Sequence, residues 1–162
     1  MADDQENEQI GLAVSSDGNK FIRANGNGLV LPRIPTIPWK GLRTCNPTVL
    51  IRNNKFYMFY QGISSDEPKH VSIGVAVSDD GINWIADDLP ALSWVDMRQY
   101  DKKQDVSKRV LLHSPGVVVD QGIFKMWFCY SHVTIPCGTI CYAESVDGHK
   151  WNIKNMDIIR AS

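Results

Sequence analysis

The side chains able to do chemistry gather in segments of irregular composition. Trp39, Arg43 and Asn46 close one long segment, residues 22–46. Trp94, Asp96, Arg98, Tyr100, Asp101, Arg109, His113 and Ser114 lie in or beside a second, residues 85–113. Shorter connections hold Gln61, Asp66, Glu67, Lys69, His70, His132 and Thr134. Indole rings stack on the apolar faces of sugars, while guanidinium, imidazole and amide groups meet hydroxyls. Trp39, Arg43, Asn46, Trp94, Arg98, His113 and His132 are therefore the candidate carbohydrate-binding set. Carboxyl groups placed together can act as a general acid and a general base. Asp66, Glu67, Asp96 and Asp101 are the loop carboxylates available, with His113 as a proton donor that lacks an assigned carboxylate partner. His113, His132, Cys137 and His149 are the residue types of a metal site, with His132 and Cys137 near one loop. No metal site and no cofactor are expected.

What must position these residues is a repeat. IGLAVSSDGNKF (10–21), IGVAVSDDGINW (73–84) and ICYAESVDGHKW (140–151) align without gaps. Gly18, Gly81 and Gly148 stand 63 and 67 residues apart. A second element, NPTVLIRNNKFYMFY (46–60), aligns with SPGVVVDQGIFKMWF (114–128) at a spacing of 68. Two patterns recurring at nearly one period mark a repeat architecture.

Each period predicts four short strands. The first runs through Thr48–Arg52 and Val117–Asp120, and the second through Phe56–Tyr60 and Phe124–Tyr130. The Ile-x-x-Ala-x-Ser segment is the third, and the fourth starts at Phe21, Trp84 or Trp151. No long 3.6-residue apolar stripe occurs, so helix content is expected to be low. In the third strand Gly74, Ala76 and Ser78 share one face and Ile73, Val75 and Val77 the other. A face of small residues admits a neighbouring sheet closely. Four-stranded sheets stacked around an axis make a β-propeller.

In the Ser-x-Asp-Gly-x-x-aromatic turn, Asp accepts backbone N–H bonds and Gly supplies positive φ. Asp17, Asp80 and Asp147 are thus structural, and Trp84 and Trp151 are expected to be mostly buried anchors. In a blade with alternating strand directions, these turns lie opposite the entry loops that carry the candidate site.

Composition sets further bounds. The chain has 162 residues, 17 Lys plus Arg and 18 Asp plus Glu, for a formal charge of -1. That balance offers no electrostatic footprint for nucleic acid or an anionic membrane. A hydrophobic fraction of 43% with 22% charged residues predicts a packed core. No apolar run approaches the ~18 residues of a membrane helix. The N-terminal MADDQENEQ does not have the pattern of a signal peptide, so the cytoplasm is the default compartment. The four cysteines, Cys45, Cys129, Cys137 and Cys141, form no CxxC pair and are expected to be reduced thiols.

The frame Pro-x-Val, Phe-Tyr-Met-Phe-Tyr and Ile-Gly-x-Ala-x-Ser-x-Asp-Gly-x-x-Trp resembles the five-bladed propeller glycoside hydrolases over residues 10–160. These include arabinanases, xylosidases, fructan hydrolases and related phosphorylases, of the family 43 and 32 type. The resemblance implies an all-β chain of four-stranded antiparallel blades. It divides residues 1–162 into a half blade (10–30), a blade (46–90) and a blade (113–160), an incomplete ring of about two and a half blades. It also implies catalytic carboxylates at the funnel mouth: an Asp directly before the Pro that opens a blade, and often a Glu one residue earlier. Here Asn46 and Ser114 hold the first position and Cys45 and His113 the second. An amide is no general base, so the expected function is a carbohydrate-binding or carbohydrate-processing module without hydrolytic activity as this chain. The alternatives are a protein-interaction propeller scaffold, or a fragment of an active glycosidase whose carboxylates lie elsewhere. At roughly 65 residues per blade a five-bladed ring needs about 325 residues. The chain is therefore expected to be a homo-oligomer or part of a longer chain, with an oligo- or polysaccharide as its partner.

Overall fold

The computed structural model describes residues 8–102, 104–105, 107–133 and 135–160. It is almost entirely β. The chain opens with two short pairings: β1 (Ile10–Gly11) with β4 (Leu29–Leu31), and β2 (Ala13–Val14) with β3 (Ile22–Arg23). The first full blade is β5 (Arg43–Arg52), β6 (Lys55–Ile63), β7 (Val71–Ser78) and β8 (Ile85–Ala86). After a single helical turn, α1 (Trp94–Met97), the second blade is β9 (Leu111–Asp120), β10 (Ile123–His132), β11 (Ile135–Ser145) and β12 (Asn152–Arg160). Each blade is an antiparallel meander. The two are joined at one corner, where β7 and β9 run parallel and pair Val71 with Leu111. Among the described residues the strands stay open and close no ring. This is an incomplete β-propeller.

The blades stack as the small face of the third strand requires. Met58 pairs with Ala76, and in the next blade Met126 pairs with Ala143; Phe56 pairs with Ser78 and Phe124 with Ser145. Large residues of the second strand thus alternate with small ones of the third on one face. On the first blade that face packs Met58, Tyr60 and Ala76 against Ile10 and Leu31 of the N-terminal pairings. On the second blade it packs Phe124, Met126, Phe128, Cys141 and Ala143 against Phe59, Ile73 and Val75 of the first. The main core is therefore the interface between blades.

The turns follow their sequence. Gly18, Gly81 and Gly148 have φ of 76°, 75° and 81°. The Asp80 carboxylate accepts the backbone N–H groups of Ile82 and Asn83 at 2.8 and 2.7 Å, and Asp147 accepts those of His149 and Lys150. Three expectations need correcting. Trp84 and Trp151 are only partly buried, because each turns its Nε1–H back to the Gly81 or Gly148 carbonyl of its own turn. The first strands start earlier than expected, at Arg43 and Leu111, because they pass through a bulge instead of beginning after it. The entry loops are not loop throughout: 22–46 contains β3, β4 and a 3-10 turn at Pro38–Lys40, and 85–113 contains β8, α1 and the start of β9.

Candidate functional site

The bulge fixes the first part of the site. Asn46 and Ser114, each directly before a Pro, have φ of 50° and 55°. Register slips at both places, between Cys45 and Thr48 and between the partners of His113 and Gly116. An extra residue in one strand re-aims its side chain. Asn46 Nδ2 donates to Gln61 Oε1, and Cys45 Sγ lies 3.6 Å from the same oxygen. Burial, reinforced by Glu8, pushes the Cys45 thiol up to about 11, so it is no nucleophile at neutral pH. In the second blade the Ser114 hydroxyl lies 3.4 Å from His113 Nδ1. Burial lowers the pKa of His113 and favours its neutral ring.

A cleft of about 390 Å3 is lined by Pro38, Trp39, Ser64, Asp66, Glu67, His70, Ser72 and Trp94. Trp39 is held on the 3-10 turn, where its Nε1–H donates to the Asp88 carbonyl at 2.7 Å. Its ring stacks on Tyr60 at 6.0 Å and lies against Gly62 and Gly74. A Cβ at Gly62 would stand 2.3 Å from the indole, so only glycine admits it. The neighbouring Lys40 is wholly buried and donates to the Asp87 carbonyl at 2.7 Å. Burial lowers its pKa against the opposing pull of Asp88 and Asp87.

Across the cleft Trp94 stacks on His70, 4.4 Å between ring centres. His70 Nδ1 accepts the Val110 backbone N–H at 3.2 Å. A peptide N–H only donates, so the neutral ring carries its hydrogen on Nε2. Burial lowers the His70 pKa and favours that neutral form. The Trp94 end is braced in turn. Gln104 Nε2 donates to the Trp94 carbonyl at 3.3 Å and to the Tyr130 hydroxyl at 3.1 Å. Asp101 Oδ2 accepts from Tyr130 at 3.1 Å and sits 2.6 Å from Nε2 of the fully buried His132.

The sequence candidates thus divide. Trp39, Trp94, Asp66 and Glu67 meet at the cleft. Asp101 and His132 pair with each other and support it. Asp96 is occupied at the start of α1, accepting the backbone N–H and hydroxyl of Ser93 at 2.7 Å each. Arg98 is exposed at the end of that turn, and Arg43 lies 3.9 Å from Glu8. His149 pairs with Asp87 at the opposite end, 2.6 Å away. Thr134 and the Cys137 side chain lie outside the described residues. No three His, Cys, Asp or Glu side chains are placed to hold a metal ion among the described residues. His70 and the bracing Gln104 were the residues that the sequence reading left out of its binding set. Gly62 and Gly74, two glycines inside strands, were the available signal of a close approach.

No family model matches the chain, and no curated protein matches its sequence. Solved structures do match its shape. A glycosyl hydrolase from Bacteroides ovatus superposes with a TM-score of 0.66 at 16% identity, over 83% of this chain and 40% of that one. A structure from work on the GH130 family of mannoside phosphorylases, which contains glycoside hydrolases, matches with a TM-score of 0.64 at 18% identity, over 87% and 43%. The Bombyx mori GH32 β-fructofuranosidase matches with a TM-score of 0.57 at 16% identity, over 80% and 25%. The fold is that of the propeller-type glycoside hydrolases. The chain spans less than half the length of each of these three proteins.

Proposed function

We propose that the cleft between Trp39 and Trp94 binds an oligo- or polysaccharide, and that this chain alone does not hydrolyse it. The observation that carries the binding is the cleft itself: two indoles flank Asp66, Glu67 and the neutral His70. Carboxylates accept sugar hydroxyls, the His70 Nε2–H can donate to one, and indoles cover apolar sugar faces. Pockets that pair aromatic walls with a few polar groups are the usual form of small-ligand sites. The absence of turnover rests on Asn46 and Ser114, an amide and a hydroxyl at the two left-handed positions where the resemblance expects carboxylates.

The test is a glycan array and calorimetry on the intact chain, with parallel assays on aryl-glycosides and polysaccharides. Saccharide binding weakened at least tenfold by Trp94→Ala, without product release, supports the reading. Robust turnover abolished by Asp66→Asn or Glu67→Gln would overturn its non-hydrolytic half. No binding to any glycan, alongside capture of a defined protein, would replace it with the scaffold reading.

A further inference from the structure

The repeat lets one blade report on the other. The first blade receives the second on the row Thr48–Phe59–Val75, flanked by Leu50 and Ile73. The equivalent row on the second blade is Gly116–Trp127–Tyr142, flanked by Val118 and Ile140. Its centre remains apolar: Trp127 lies 5.0 Å from Tyr142 between ring centres. Yet it is open, with Trp127 39% and Val118 49% exposed. A sheet-receiving surface has thus been kept, with no sheet of the described chain upon it.

We propose that this face of the second blade is a two-fold interface with the same face of a second copy of the chain. The charges argue for it. Tyr57 and Val77, at the edge of the first blade's receiving face, are replaced on the second by Lys125 and Glu144. Lys125 pairs with Asp120 at 2.5 Å and Lys154 with Glu144 at 3.6 Å. The apolar centre therefore has an edge bearing both signs. A half turn about an axis running along the strands between β10 and β11 sets Lys125 of one copy against Glu144 of the other, and isologous dimers are built on such self-complementary faces. A head-to-tail stack fits less well. The outward small face at the other end of the molecule offers Gly11 and Ala13, without, among the described residues, the large second-strand residues that dock one blade on the next.

Sedimentation velocity and light scattering on the full chain test this. The expected result is a species of twice 18.2 kDa that does not grow over a hundredfold range of concentration. Trp127→Glu should give a monomer with an unchanged far-ultraviolet spectrum, and Val118→Glu should do the same should the first variant fold poorly. Ala13→Arg should leave the dimer intact. A monomer at every concentration, a ladder of larger species, or a dimer indifferent to both face variants would overturn the proposal.

Discussion

The guanidinium of Arg52, at the end of β5, stands 4.5 Å from the centre of the Phe124 ring in the next blade. It also donates to the carbonyls of Val146 and Gly122 at 2.9 Å each. One side chain of the first blade thus ties down two separate turns of the second.

Arg52→Ala should destabilise the chain by about 1–2 kcal/mol, the combined scale of one cation–π contact and two charge-assisted hydrogen bonds at a partly exposed site. Arg52→Lys should recover only part of it, since an ammonium cannot reproduce the two-pronged geometry. Urea denaturation of the three proteins checks both. A loss under a few tenths of a kcal/mol would show that the clamp is idle.

Trp151 packs edge-on against Phe59 at 5.5 Å and Phe124 at 6.4 Å. Trp151→Ala should cost about 3 kcal/mol, the low end for large aromatic truncations, because the ring is only partly covered. Thermal and urea melts would measure it. A cost below about 1 kcal/mol would mean that the repeated aromatic is not an anchor.

Gly74→Ala links packing to the site. The added Cβ would lie 2.5 Å from Trp39 Cη2 and 2.6 Å from Tyr60 Cζ. The backbone cannot yield easily inside a central strand, so the indole must shift. Overpacking of this kind costs about 1–3 kcal/mol. Saccharide affinity should fall together with stability, and the wild-type tryptophan fluorescence should change. Unchanged affinity would separate the Trp39 ring from the ligand.

The turn carboxylates predict an acid limb. Asp80 lies well below the ordinary value of 3.8, first because the Asn83 and Ile82 amides bond to its charged form. Asp147 is lowered in the same way, chiefly by the Lys150 amide. The unfolded chain therefore binds these protons more readily. The stabilisation is complete above about pH 5 and is lost as pH falls through the ordinary carboxylate value toward the folded values. Urea midpoints measured between neutral pH and pH 2 should decline there, and more shallowly in Asp80→Asn. An unaltered acid limb in that variant would assign the decline to other groups.

The blades were legible because their cause is local and repeated. Ser78, Asp80, Gly81 and Trp84 close a turn among themselves, and so do Ser145, Asp147, Gly148 and Trp151. Alternation along β7 likewise tells which residues face which sheet. The cleft was legible only in part. Trp39, Trp94, Asp66 and Glu67 were named from residue type, but their meeting depends on Gly62 and Gly74 in one blade and on Gln104 and Tyr130 far along the chain. Asp96 and Asp101 looked alike as loop carboxylates. Asp96 closes a local capping box with Ser93 at the start of a helical turn, whereas Asp101 is bonded to a buried histidine 31 residues away, which only tertiary structure shows.

The bulges ahead of Pro47 and Pro115 carry one more consequence. A left-handed φ is a property of the main chain, and Asn and Asp tolerate it about equally well. Asn46→Asp therefore changes the charge at that point without asking the backbone to move. Geometry and acidity are separately adjustable in this scaffold. On the function proposed above, the route from a surface that holds a sugar to one that acts on it can begin with a single exchange of an amide nitrogen for an oxygen.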